Sequence, residues 1–334
     1  GELRIEGSKN AVLPILAASI INGKQSVIHN VPNLKDVKTM LSVLETIGCT
    51  CSFNGDTVII NSAGDLDVNI PDKPVREMRS SIMLMGAMLG RFKKVKICFP
   101  GGCEIGLRPI DLHLTGLRLL GAKIVESHGY ILCECDKLYG NEIHLDYPSV
   151  GATENIMLAA VSAEGVTIIQ NAAREPEIVD LQNFLNSMGA KITGAGSSTI
   201  KIEGVKEFHD VEHTVIPDRI VAGTYCVAAA VTQGKIVIRD IIPEHIKPVL
   251  LKLEESGCKI NRYNKDISIS CNGRPNAVDI IKTMPYPGFP TDMQAQMMAL
   301  MCIAKGTSIF IETIFENRYK HAEELIKMGA NIKI

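Results

Sequence analysis

The chain has 334 residues, 46% of them hydrophobic and 22% charged, with a formal net charge of −2. That length is ample for a large core and more than one domain. The near-neutral balance argues against nucleic acid as the main partner, and no apolar run approaches the ~20 residues of a membrane helix.

The opening "GELRIEGSKN" is polar and charged, unlike a secretory leader. It reads as starting within a strand, so a preceding piece is expected to be absent. At "GSKNAVLPILAAS" an apolar helix begins, with Asn10 as a candidate cap and Pro14 in its first turn. Lys9 beside it would add positive charge to a helix start suited to an anion. A plain cap and a solvated lysine explain the same residues. Next come a strand ("QSVIHNV"), an amphipathic helix ending "LETIGCTCSF", and a hairpin, "CSFNGDTVII", with Asn-Gly as its turn signal.

This order of helix, strand, amphipathic helix, strand, strand then repeats. The phrase "LETIGCTCSF" returns as "LRLLGAKIVE", "LNSMGAKITG", "LEESGCKINR" and "LIKMGANIKI". Its glycines, Gly48, Gly121, Gly189, Gly257 and Gly329, are 73, 68, 68 and 72 residues apart. Each suits the left-handed residue that ends a helix. A second glycine, Gly23, Gly90, Gly165, Gly234 or Gly306, closes the apolar first helix of each unit. That helix is apolar on most sides and should be buried. The fifth unit is expected to stop at the strand after Gly329. A symmetric set would have six units, so a C-terminal unit of about seventy residues is expected to be missing.

The interval between the two marker glycines is 25, 31, 24, 23 and 23 residues. The excess in the second unit falls in "PGGCEIGLR", between strand "KVKICF" and helix "IDLHLTGLRLLG". Repeats build scaffolds, and functional loops are added to them. Cys103, in that loop, is therefore a candidate acid, base or nucleophile, with Arg108 placed to lower its pKa. A loop cysteine without a role is the alternative. The ten cysteines form no CxxC pair and no metal-ligand spacing. The rest read as small apolar residues in a reducing cytoplasm.

Each buried helix starts with polar or charged groups: Lys9, Arg79 (with Arg76), Ser149, Asp218/Arg219 and Asp292. Ser149, Val150 and Gly151 offer backbone N–H groups at one such start. Asp292, in "FPTDMQAQMMAL", reads either as a helix cap or as a carboxylate general base at a domain interface. Converging helix starts and cations suit a phosphorylated small molecule.

"GSKNAVLPILAA", "PGGCEIGLRPIDLHLTGL", "NAAREPEIVDL", "IPDRIVAGT", "FPTDMQAQ" and "IFENRY" closely resemble the UDP-N-acetylglucosamine enolpyruvyl transferases (MurA enzymes), through essentially the whole chain. The wider family includes EPSP synthase, which shares the repeat fold but not the cysteine loop. The resemblance implies an α/β fold, an inside-out α/β barrel with helices inside and sheets outside. It has two domains of three units, residues 8–215 and residues 216–334 plus 1–7, the second lacking its last unit here.

It also implies transfer of the enolpyruvyl group of phosphoenolpyruvate to the 3′-hydroxyl of UDP-N-acetylglucosamine, releasing phosphate. This is the first committed step of peptidoglycan synthesis, hence a cytoplasmic enzyme of cell-wall biogenesis with no metal or organic cofactor. By the same match, Cys103 is the acid for the methylene carbon and can form an adduct, and Asp292 is the base. Lys9 and Asn10 match the phosphoenolpyruvate-binding pair, and Arg79 and Arg108 the arginines for anionic groups. Pro109, Ile110, Asp111 and Leu112 match a nucleotide contact, Ser149 and Val150, beside Gly151, a diphosphate and uridine contact, and Ile314 a sugar contact. Tyr147 stands where the family often has a basic residue. The loop of Cys103 is expected to close over substrate, and the nucleotide sugar to bind first and draw the domains together. A chain ending at Ile334 is expected to turn over little. A shikimate-type transferase and a nucleotide-sugar-binding protein without catalysis are the rival readings.

Overall fold

The computed structural model describes residues 1–101 and 109–334. Its described residues fall into two compact units, one of Gly1–Glu6 and Pro217–Ile334, the other of residues 7–101 and 109–216.

The repeat is visible as structure. In the second of these units, helix Lys9–Ala18, strand Gln25–His29, helix Lys35–Thr46 and hairpin Thr50–Asn54/Thr57–Asn61 form the first repeat. The other two start with helices Met83–Phe92 and Val150–Ala160. These three first helices are buried almost throughout, residues 11–18, 83–90 and 152–160 being inaccessible or nearly so. Removing such apolar side chains from water stabilises the fold by about 1.5–3 kcal/mol each. Close packing sets the sequence: a Cβ on Gly86 would lie 2.2 Å from the Asn155 carbonyl oxygen of the neighbouring helix. The amphipathic helices bury one face only, as Lys35–Thr46 does with Val37, Met40, Leu41, Val43 and Leu44.

Gly48, Gly121, Gly189, Gly257 and Gly329 are all left-handed, with φ between +96° and +115°. After each, an amide bonds back to the carbonyl five residues earlier in the Schellman pattern: Cys49 to Leu44, Ala122 to Leu117, Ala190 to Leu185, Cys258 to Leu253 and Ala330 to Leu325, at 2.9–3.1 Å.

Three of the sheets carry an added short parallel strand: Val211–Thr214 beside Gln25–His29, Glu142–His144 beside Val166–Gln170, and Glu2–Arg4 beside Lys235–Arg239. The strand at the start of the chain was expected. The other two are three or four residues long and lie in connecting segments, too short for alternation to register. Among the described residues the sheets are separate and do not close into one hydrogen-bonded barrel, contrary to the barrel expected from the resemblance. In the unit that begins at Gly1, the repeats start with helices Arg219–Val231 and Gln294–Ile303. The strand expected after Gly329 is not formed; residues 330–334 have irregular backbone.

Cys258 and Cys271 correct the expectation of unpaired cysteines: they are joined as a disulfide. Lys259 pairs with Ser270 in the antiparallel register, so the flanking residues stand opposite each other, Cα atoms 4.5 Å apart. No helix among the described residues is long and apolar enough to cross a membrane.

Candidate functional site

Cys103 and Arg108 lie outside the described residues. The root of their loop is described. The Gly101 amide donates to the Val75 carbonyl at 3.3 Å, and a Cβ on Gly101 would lie 1.7 Å from the Arg76 carbonyl oxygen. Only glycine allows that approach.

Lys9 and Asn10 are exposed at the start of helix Lys9–Ala18. The cap is Ser8, whose hydroxyl accepts from the Ala11 amide at 3.3 Å, and not Asn10. Ser8 has the extended backbone that a cap needs. Pro14 therefore sits in the helix interior rather than the first turn. Lacking an N–H, it leaves the Asn10 carbonyl without its usual i+4 donor. Lys9 Nζ stands 3.8 Å from Asp36 Oδ2. Arg79 opens the turn Arg79–Ile82, which packs on helix Lys9–Ala18.

Asn155 gathers the remaining elements of this unit. Its Oδ1 accepts from the Gly86 amide at 2.6 Å, and its Nδ2 donates to the Ile82 carbonyl at 3.0 Å. His113 Nδ1 lies 3.0 Å from the same Nδ2 and accepts from it, which fixes the neutral tautomer with its proton on Nε2. The imidazole in turn fills the space beside Gly151, where a Cβ would come 3.0 Å from His113 Cε1. One buried amide thus joins the turn that bears Arg79, the helix that starts at Asp111 and Leu112, and the helix that starts at Val150 and Gly151. Ser149 caps that last helix by accepting from the Ala152 amide at 3.3 Å. Pro109 and Asp111 are exposed, Leu112 is half-buried and Ile110 is buried. Tyr147 is exposed.

A buried acid lies in the same helix. Glu154 Oε1 has no hydrogen-bond partner. Burial first, then Glu177 and Glu175, pushes this carboxyl well above the ordinary range. Burial also raises the thiols of Cys49 to about 11 and of Cys51, Cys133 and Cys226 to about 12. No group of three or more potential metal ligands occurs among the described residues.

In the other unit, Asp218 caps its helix, accepting from Ile220 and Val221 amides at 2.8 and 3.0 Å. Arg219 follows, its guanidinium 5.6 Å from the Tyr286 ring centre. Asp292 sits in the turn Thr291–Met293 and makes no cap hydrogen bond. Its Oδ1 accepts instead from Arg318 Nη2 at 2.7 Å. The Ile314 amide donates to Glu312 Oε1 at 2.8 Å. Arg318, His113, Asn155 and Glu312 were not singled out from sequence. A histidine or asparagine in an apolar helix is a weak signal, and Arg318 and Glu312 gain meaning only from their partners.

The family model described as EPSP synthase (3-phosphoshikimate 1-carboxyvinyltransferase) matches residues 1–334. The chain is 60% identical over 334 residues to "UDP-N-acetylglucosamine 1-carboxyvinyltransferase 2" of Caldanaerobacter subterraneus subsp. tengcongensis, covering 100% of this chain and 80% of that one. It is 53% identical to "UDP-N-acetylglucosamine 1-carboxyvinyltransferase 1" of Symbiobacterium thermophilum, covering 100% and 77%. Among solved structures, the enolpyruvyl transferase NikO from Streptomyces tendae superposes with a TM-score of 0.86 at 20% identity, over 98% of this chain and 78% of that one. EPSP synthase from Acinetobacter baumannii gives 0.72 at 18%, with the same coverage. These two likenesses bear on the fold, which is the mixed α/β enolpyruvyl transferase fold.

Proposed function

We propose a reaction for this chain from one premise: it belongs to the EPSP synthase (3-phosphoshikimate 1-carboxyvinyltransferase) family. It transfers the enolpyruvyl group of phosphoenolpyruvate to the 3′-hydroxyl of UDP-N-acetylglucosamine, with release of phosphate. The observation that carries this is the 60% identity, over all 334 residues, to a relative named for that acceptor. The product enters peptidoglycan synthesis, and the enzyme works in the cytoplasm.

The chemistry needs a proton donor, a proton acceptor and fixed cations. Cys103 gives a proton to the methylene carbon of phosphoenolpyruvate, leaving its C2 electron-poor. The sugar 3′-oxygen attacks C2 as Asp292 takes the hydroxyl proton. Return of a methyl proton to the Cys103 thiolate, with departure of phosphate from C2, then restores the double bond in the transferred enol ether. Lys9, Asn10, Arg79 and Arg108 hold the phosphate and carboxylate charge. Pro109, Ile110, Asp111 and Leu112, with Ser149, Val150 and Gly151, hold the nucleotide, and Ile314 the sugar. The exposure of Lys9 and Asn10 at a helix start, and the freedom of Asp292 from capping, support these roles. Lys9 and Asn10, and Val150 and Gly151, stand at the starts of buried helices, which supports an inside-out scaffold with its sheets outside.

The test offers phosphoenolpyruvate with either UDP-N-acetylglucosamine or a phosphorylated shikimate. Phosphate release and an enol ether with the nucleotide sugar alone are expected. Release with the shikimate alone would replace the acceptor. Binding of the nucleotide sugar without transfer would leave a binding protein.

A further inference from the structure

The carboxylate of Glu312 accepts from four donors, which come from three separate stretches of chain. Oε1 takes the Thr283 hydroxyl at 2.8 Å, the Ile314 amide at 2.8 Å and the Phe315 amide at 3.2 Å. Oε2 takes the Thr291 hydroxyl at 2.9 Å. Four is about the accepting capacity of a carboxylate. Further bonds brace the same cluster: the Thr313 amide and hydroxyl reach Thr283 Oγ1 at 3.0 Å and the Thr283 carbonyl at 2.6 Å, and the Glu312 amide reaches Tyr319 Oη at 2.9 Å. Thr283 is wholly buried.

Two of the stretches so joined carry residues already assigned to the acceptor sugar. Thr291 is the neighbour of Asp292, and Ile314 is bonded directly. A loop carboxylate that only terminated a strand would need one or two local partners, whereas this one divides its oxygens between the Asp292 turn and the Ile314 turn. We propose that Glu312 is a positioning residue for the acceptor, its Oε2 fixing the turn of Asp292 through Thr291 while its Oε1 fixes the Ile314–Phe315 turn. The inference rests on the transfer reaction proposed above. In that reaction the base and the sugar contact must be set relative to one another to within a fraction of an ångström. A single charged acceptor shared by both turns does this without touching substrate.

The test compares wild type, Glu312→Ala, Glu312→Gln and Thr291→Val. Amide hydrogen exchange over 283–319 is followed by mass spectrometry, UDP-N-acetylglucosamine affinity by calorimetry and thermal unfolding by dichroism. In Glu312→Ala, exchange at Ile314 and Phe315 should quicken at least ~10-fold, and affinity should fall ~10-fold or more. Glu312→Gln should keep most of both, since its oxygen still accepts the two amides and the Thr291 hydroxyl can accept from its NH2. Thr291→Val should weaken affinity several-fold while changing exchange mainly around Asp292. Rescue by glutamine separates positioning from bulk stability. Unchanged exchange at Ile314 and Phe315 in Glu312→Ala, or changed exchange with unchanged affinity, overturns the proposal. A wild-type chain that binds no nucleotide sugar overturns the reaction itself, and this inference with it, before any variant is compared.

Discussion

Asp292 and Arg318 form an ion pair, Oδ1 to Nη2 at 2.7 Å, in which the arginine is mostly buried and the carboxylate is not. A charge-assisted bond of this kind fixes one carboxylate oxygen and leaves the other to accept a proton. Asp292→Asn keeps the shape but cannot act as the base. Its kcat is expected to fall by about 10²–10⁴, the usual contribution of a positioned base, with nucleotide-sugar binding kept within a few-fold. Arg318→Lys keeps the charge and loses the planar fork, and a fall in kcat of roughly tenfold is expected. Steady-state phosphate release measures both. Wild-type turnover in Asp292→Asn would remove the aspartate from the proposed chemistry.

Asn155 ties three helix starts, so its removal should be felt as stability before it is felt as chemistry. Asn155→Ala leaves the Gly86 amide, the Ile82 carbonyl and His113 Nδ1 without that partner in a buried setting. An orphaned buried polar group costs about 1–3 kcal/mol, so a loss of at least about 3 kcal/mol is expected by urea denaturation. A loss below about 1 kcal/mol would mean that water or a local shift replaces the bonds.

The scaffold was legible because its signals are local. A left-handed glycine after each amphipathic helix is written into one residue, and Gly48, Gly121, Gly189, Gly257 and Gly329 all adopt that backbone. The short parallel strands in connecting segments, such as Val211–Thr214 beside Gln25–His29, were not legible, because their partner lies far away in the chain. The cap of the first helix was misplaced for a related reason: Ser8 and Asn10 both favour the role, and the backbone at Ser8 decides. The residues expected at helix starts, such as Lys9, Arg79, Ser149 and Asp292, could be read locally, whereas Arg318, Glu312, His113 and Asn155 take their meaning from partners far away in the chain. Cys103 stood out through an excess of loop length. His113 and Asn155 lie within regular helical runs and acquire their role through each other.

The cysteines give a sharper handle on the loop. With their thiols pushed to about 11 or 12, Cys49, Cys51, Cys133 and Cys226 hold on the order of a thousandth or less of thiolate at pH 8. Burial raises the Cys98, Cys135 and Cys302 thiols too. Cys258 and Cys271 are paired. A brief exposure of the native chain to iodoacetamide at that pH should therefore label mainly the peptide containing Cys103. Phosphoenolpyruvate with UDP-N-acetylglucosamine should slow that labelling, and Cys103→Ala should abolish both label and phosphate release. Even labelling across all the cysteines would contradict the expected reactivity of this thiol.

Glu154 should make stability depend on pH in a direction opposite to that of most carboxylates. Burial and the nearby Glu177 and Glu175 raise its folded-state pKa well above 4.5, while the unfolded chain keeps the ordinary value. Its contribution is then fully present below pH ~4.5 and is lost as pH rises through the folded-state value, because the unfolded chain releases the proton first. Glu154→Gln has the same shape and no proton to lose. The glutamine variant should accordingly gain on wild type as pH increases, its unfolding midpoint relative to wild type being higher at pH 8 than at pH 5. Every other titrating group is common to the two proteins, so the difference between their curves isolates this one carboxyl. Parallel curves from pH 5 to 8 would mean that Glu154 takes up a partner or water that keeps its ionised form stable, and that the acidic cluster is not the strained feature its burial implies.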